Sequence, residues 1–141
     1  MTAVECAARL QNARFAVLGT SDERRGAHLV PVVFVTDGSK LIVPVDSVKP
    51  KTTTRLRRIA NLTRDPRAAL LIDHREDDWE RLWWVRADLT FDAHDDPTPA
   101  ESHDLATKYP RYASIGAISS VLRFDIDAYR GWTASPTGTT T

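Results

Sequence analysis

Residues 27–46 read AHLVPVVFVTDGSKLIVPVD, two β-branched apolar runs joined by four turn-forming residues. Four residues leave no room for a crossover helix, so the two runs form a hairpin. The nearly continuous apolar run 27–36 suggests a strand buried on both faces. Pro31 within it argues for an edge position or a bulge, because proline cannot donate to a sheet ladder.

The rest of the chain follows the same style. Residues 3–12 are Ala-rich and helix-compatible, with Val4, Ala7 and Ala8 as apolar positions. Residues 14–22 form a short strand, and ERRG at 23–26 forms a hairpin turn. A helix is expected over 52–63, with Leu56, Ile59, Ala60 and Thr63 on its core side and Arg57, Asn61 and Arg64 opposite. Asp65-Pro66 stops it. Strands follow at 67–74 and 81–91, around an acidic turn at 75–80. Residues 92–99 read as a loop, 100–109 as a polar helix and 117–132 as a last strand. The order is α, β, β, β, α, β, β, α, β. A doubly wound parallel sheet needs a helix between most strands, and these are lacking. The expected fold is mainly β (α+β): an antiparallel split barrel or sheet flanked by two or three helices. Residues 1–134 make one domain, and 135–141 are expected to be a disordered tail.

The 141 residues suffice for one core, and the formal net charge is zero. Neutrality argues against a general nucleic-acid binder, so any electrostatic function is local. Cys6 is the single cysteine, so no internal disulfide forms, which fits a cytoplasmic setting. No run of about 18 apolar residues exists to span a membrane. The first residues lack the pattern of a secretory signal.

Against that neutral background, residues 45–67 hold Lys49, Lys51, Arg55, Arg57, Arg58, Arg64 and Arg67, with only Asp46 and Asp65 as acids. A helix N-terminus already attracts anions through free N–H groups and the helix dipole. Thr52, Thr53 and Thr54 add hydroxyl donors there, and Lys49 and Lys51 come just before. Arg55 and Arg58 flank the apolar stripe and offer planar forks for a phosphate. Helix stability alone would favour acids at this end. Three alternatives stay open at this point: a phosphate site, a solvated charged face with Arg57, Arg64 and Arg67 solvated or paired to the turn at 76–80, or a basic helix for nucleic acid.

Other motifs are weak. His28, His74, His94 and His103 lack metal-ligand spacing of the HExxH or CxxC kind, so no metal site is assigned. Neither a G-x-S-x-G elbow nor a glycine-rich nucleotide loop is present. No catalytic residue can be named. Trp83 and Trp84 are neighbours on a strand and must face opposite sides; either one enters the core and the other meets a partner or ligand, or both serve core and sheet-surface packing.

The segments HLVPVVFV, DSVKPKTTTRLRRIANLTRDPRAALLID, DDWERLWWVRAD and YRGW together resemble the flavin/deazaflavin oxidoreductases with a pyridoxamine 5'-phosphate oxidase-like split β-barrel, FMN-binding in many members. The resemblance covers about residues 5–134 and is closest to the PPOX-class oxidoreductases that use coenzyme F420, a deazaflavin. Its most specific part is a basic residue three before Asn, then Leu; here Arg58, Asn61 and Leu62. In such proteins that basic position, usually Lys, binds the cofactor phosphate. The resemblance implies a homodimer with the cofactor at the subunit interface, its phosphate at the helix start and its ring against the strand of Val30–Val33. It implies cofactor contacts from Lys49, Lys51, Thr52, Thr53, Arg55 and Arg58, with Val32 and Trp132 bordering the ring. The implied chemistry is hydride transfer to or from a small-molecule substrate, with no nucleic acid and no membrane as partner. FMN is the alternative cofactor. A barrel that holds a flavin or heme without turnover is the non-catalytic alternative.

Overall fold

The computed structural model describes residues 1–46 and 53–135, and the side chains of all of these except 53–56. Three helices, α1 (Ala3–Asn12), α2 (Thr53–Arg64) and α3 (Pro99–Lys108), flank seven strands. The strands are β1 (Ala16–Asp22), β2 (Gly26–Val32), β3 (Val35–Thr36), β4 (Lys40–Asp46), β5 (Arg67–His74), β6 (Trp83–Asp95) and β7 (Ile118–Thr133). They form one antiparallel sheet in the order β2-β1-β5-β6-β7-β4-β3.

The long strands β6 and β7 carry register shifts at Asp88/Leu89 and at Phe91/Ala93, and β4 has one at Val45/Asp46. Bulges bend and twist a sheet. The bend brings Leu18 and Val32 from one half into the same core as Leu41, Val43, Leu122 and Phe124 from the other. This is the split barrel expected from the sequence. Leu10 and Cys6 of α1 and Leu62 of α2 plug it. A smaller cluster of Leu105, Tyr109, Tyr112 and Val121 seats α3.

Local chemistry accounts for the ends of the elements. Thr2 and Glu5 form a reciprocal capping box on α1, and Thr98 and Glu101 form another on α3. In the β1–β2 turn, Asp22 accepts from the backbone of Arg24 and Arg25, and Gly26 closes the turn at φ +82°.

The structure corrects three sequence expectations. Run 27–36 is two strands, not one buried on both faces. β2 is an edge strand with Leu29 exposed, and the edge position is the one Pro31 tolerates. β6 continues through Asp95, where a loop was expected, because β7 is long enough to pair with it. The inward side of α2 is Arg58, Ile59, Asn61 and Leu62; of the expected core side Ile59 packs against the core, whereas Ala60 and Thr63 do not. Ala60 and Thr63 are exposed, Ile59 is half-buried, and nothing is described of the Leu56 side chain. Ala and Thr bring little apolar area, whereas Leu62 fills the core and Asn61 finds a buried partner. Of the two alternatives for Arg57, Arg64 and Arg67, solvated or paired to the acidic turn, the pairing is not formed. Arg57 meets Asp22 at 3.4 Å, Arg64 donates to the Ser21 carbonyl at 2.6 Å, and Arg67 pairs with Asp65 at 2.9 Å. Of the expected tail, Ser135 donates to the Glu80 carbonyl at 2.7 Å, and 136–141 lie outside the described residues.

Two features carry predictions. A Cβ on Gly131 would stand 2.6 Å from the Cys6 sulfur and 2.8 Å from the Met1 sulfur. Gly131→Ala therefore makes the Cys6 and Met1 side chains give way, with an expected loss of about 1–3 kcal/mol in urea unfolding. Lys108 donates to the Phe34 carbonyl at 3.0 Å and lies over the Phe34 ring. Burial, aided by Arg14, lowers its pKa to about 8. The unfolded chain then holds this proton more tightly, so stability rises with pH from about 8 toward 10. Above that range, the raised hydroxyl pKa values of Tyr109 and Tyr112, each set first by burial, act in the opposite direction. The rise is about 2 kcal/mol, and Lys108→Met should flatten it in urea titrations at a series of pH values.

Candidate functional site

Two surfaces stand out, one under α2 and one on the outer face of the sheet. The first is built by the polar seat of α2. Residues 58, 61 and 62 fall on one face at 100° per residue. Asn61, 5% exposed, donates to the Thr20 hydroxyl at 3.2 Å, and Thr20 is itself buried. Asp22, two residues along β1, is also buried and faces Arg57. These three are the buried polar residues among those described, and all lie at this one seam. His28, opposite Thr20 on β2, has a buried Nδ1 with no hydrogen-bond partner among the described residues. The Nε of Arg58 is buried as well.

Asp22 is held below the usual carboxylate range, first by the N–H groups of Arg24 and Arg25 and then by the Arg57 charge. It remains ionised and keeps Arg57 oriented. Beside the seam lies a cavity of about 380 Å³ lined by Arg24, Arg57, Arg64 and Asn61 together with Asp22 and Glu23.

The second surface faces away from the core. Side chains alternate along each strand, so Val17, Gly19, Ala69, Leu71, Trp84 and Trp132 share this outer face. They line a groove of about 560 Å³ with Leu29 at one side and Arg86 at another. Leu29 is 67% exposed and Trp132 46%. Toward the β1–β2 turn the groove runs into a second hollow of about 410 Å³, floored by Gly19, Ala27 and Ala69 and bordered by Arg67. An apolar face of this kind marks a ligand or partner surface. Trp83 packs against the core, stacked on His74 at 6.1 Å with the Arg9 guanidinium 4.4 Å from its ring centre. The two tryptophans thus divide as their adjacency requires.

The expected site residues fall in different places. Lys49, Lys51 and Thr52 lie outside the described residues. Thr53 and Arg55 are in the first turn of α2, with nothing described of their side chains. Arg58 is on the inward side, next to the buried seam. Val32 is 7% exposed and belongs to the core, so its side chain and that of Trp132 lie on opposite faces of the sheet. Within one chain they do not meet. Sequence reasoning missed Leu29, Leu71 and Arg86 on the outer face and the seat formed by Thr20, Asp22 and Asn61. The signal was available in part: β1 and β5 are apolar on both alternations, as a sheet covered on both sides would be.

Among the described residues no three His, Cys, Asp or Glu side chains group as metal ligands, and no helix is long and apolar enough to cross a membrane.

Fold and surfaces define an antiparallel split barrel with a cationic seam and an apolar outer face. The family model for pyridoxamine 5'-phosphate oxidase matches residues 3–133, and the chain belongs to that family. No curated protein matches it. Among solved structures, a conserved hypothetical protein from Mycobacterium tuberculosis superposes with a TM-score of 0.73 at 18% identity, covering 100% of this chain and 90% of that one. An FMN-binding protein from Syntrophomonas wolfei gives 0.68 at 14%, covering 93% and 86%. An F420 reductase gives 0.61 at 14%, covering 86% and 92%. At these identities the likeness is one of fold.

Proposed function

We propose that this chain is a homodimeric oxidoreductase that binds coenzyme F420 and supports hydride transfer between it and a small organic substrate. The observation that carries this is the supply of cations at α2. Arg58 lies on its inward side, and Arg24, Arg57 and Arg64 line a separate cavity alongside, where they outnumber its acids Asp22 and Glu23. A single phosphate needs fewer. Coenzyme F420 presents a phosphate followed by a string of carboxylates, and FMN presents the phosphate alone. Lys49, Lys51, Thr52, Thr53, Arg55 and Arg58 take the phosphate in this proposal. Trp132 borders the ring from the outer face, and β2 contributes through its backbone at Val32, because the Val32 side chain is spent in the core.

The bound cofactor supplies the hydride chemistry. The chain binds it, orients it and keeps water off the apolar groove. No side chain is assigned as acid or base. The partner is a second copy of the chain, with the cofactor between the two. Neither nucleic acid nor membrane is a partner in this proposal, and a cytoplasmic location fits the lone buried Cys6. FMN is the second reading, supported by the FMN-binding structural neighbour.

Tryptophan fluorescence titration with F420 and with FMN tests this. Quenching by F420 at lower concentration than by FMN is the expected result. The reverse preference overturns the F420 assignment and leaves an FMN enzyme. No response to either, checked by calorimetry, overturns cofactor binding. Bound cofactor that reduces no acceptor would make the protein a carrier.

A further inference from the structure

The lysine-bearing chain leaves the sheet at Asp46, the last residue of β4, and the ladder is irregular there. Val45 lies opposite Ser120 and Asp46 opposite Ile118, so the register of β4 on β7 shifts between them. A shift of this kind disrupts the backbone ladder locally, and side chains must then place the strand end. Two do so. The Ser119 hydroxyl donates to the Val45 carbonyl at 3.0 Å, and the Tyr112 hydroxyl donates to the Asp46 carboxylate at 2.6 Å. Hydroxyl bonds of that length to a carboxylate are of the strong kind.

Tyr112 is itself fixed. It stands in a 3-10 turn, Pro110–Ala113, and is buried in the cluster of Leu105 and Val121. Its ring meets that of Tyr109 edge-on at 6.2 Å. Burial first, and then the bond to Asp46, push its hydroxyl pKa up, so it remains a donor. Tyr109 reaches a different place. Its hydroxyl lies 2.8 Å from the Arg14 carbonyl and 3.0 Å from the Phe34 carbonyl, and it accepts from the Phe34 N–H at 3.3 Å. Phe34 follows directly on Val30–Val33, the stretch given to the cofactor ring. Lys49 and Lys51, given to the phosphate, come three and five residues after Asp46. Three residues of extended chain span at most about 10 Å, which leaves little length to absorb an error at Asp46.

We infer that Tyr112 is a positioning residue for the cofactor phosphate: its hydrogen bond to Asp46 fixes the point from which the lysine-bearing chain sets out. Tyr109 does the corresponding work for the ring, through Phe34. The inference rests on the cofactor binding of the proposed function and adds a residue outside the cofactor contacts.

Fluorescence titration with two pairs of ligands tests it: FMN with riboflavin, and F420 with the deazaflavin alcohol that lacks the phosphate and all beyond it. Within a pair the ring is the same, so the ratio of affinities reads the phosphate site, and a general loosening of the fold lowers both members together. The pair that contains the preferred cofactor is the one compared. Tyr112→Phe keeps the ring packing and removes the hydroxyl. It should lower the ratio about tenfold, with affinity for the phosphate-free member unchanged. Asp46→Ala should lower it likewise, although loss of an acid near a phosphate would by charge alone raise it. The double variant should lose no more than either single one, because the two groups form one bond. Tyr109→Phe should weaken both members and leave the ratio as in the wild type. Equal losses for both members in Tyr112→Phe mean a structural role and overturn the inference. An unchanged ratio in a variant with wild-type circular dichroism overturns it too, as does a ratio that rises in Asp46→Ala. Failure of the proposed function looks different: wild-type protein that binds both members of each pair equally has no phosphate site, and one that binds none of the four has no cofactor site.

Discussion

Phe124→Ala should cost about 3–5 kcal/mol of folding stability. The ring is fully buried on β7, between Leu41 of β4 and Phe91 of β6 in register, and its centroid lies 5.7 Å from that of Phe91. This is where the two halves of the bent sheet share one core. The strands on both sides are fixed by ladder hydrogen bonds, so the cavity left by the ring cannot collapse. Urea unfolding should show a lower midpoint with an unchanged slope. A loss under about 1.5 kcal/mol would mean that β4 and β6 close over the gap, and that the bend is softer than the packing indicates. The position is remote from the outer face, so the folded fraction should bind cofactor with wild-type affinity.

Arg58→Ala should lower cofactor affinity by about 10- to 150-fold, the equivalent of about 1.5–3 kcal/mol for a charged hydrogen bond. The backbone of α2 holds Arg58 on the face it shares with Asn61 and Leu62, so the guanidinium is placed before any ligand arrives. Calorimetry with the preferred cofactor measures the change, and the near-ultraviolet circular dichroism spectrum shows whether the variant is folded. Arg58→Lys should recover most of the loss if the group acts mainly as a charge, and little if the planar fork is needed. A folded Arg58→Ala protein with wild-type affinity would remove Arg58 from the site.

Much of the fold was legible because turn chemistry is local. Asp37-Gly38 between apolar runs announced one hairpin, and the Gly26 turn closed another. The end of α2 was marked by Asp65-Pro66 as a stop, whereas the caps Thr2 and Thr98 emerged only in the structure. The inward face of α2 was legible at Ile59 but not at Arg58 and Asn61, because periodicity weighs apolarity, and this helix is seated partly by hydrogen bonds. Asn61 looks like a solvent residue until Thr20, 41 positions away, is placed beneath it.

The candidate site divides along the same line. The cation-rich stretch at 45–67 is a property of composition, visible in one dimension. The outer face is not. Leu29, Leu71, Trp84 and Trp132 come from four strands, and none of those segments shows that the others stand beside it.

The sequence by itself determined where the chain turns, that its strands pair antiparallel, and that positive charge gathers near one helix, since all three depend on neighbours along the chain. Only the tertiary structure decided which strand faces line the core and which stay open, and that α2 rests on a polar seam. Those properties depend on register and on the bend of β6 and β7, and a sheet's register is set by contacts between residues far apart in sequence.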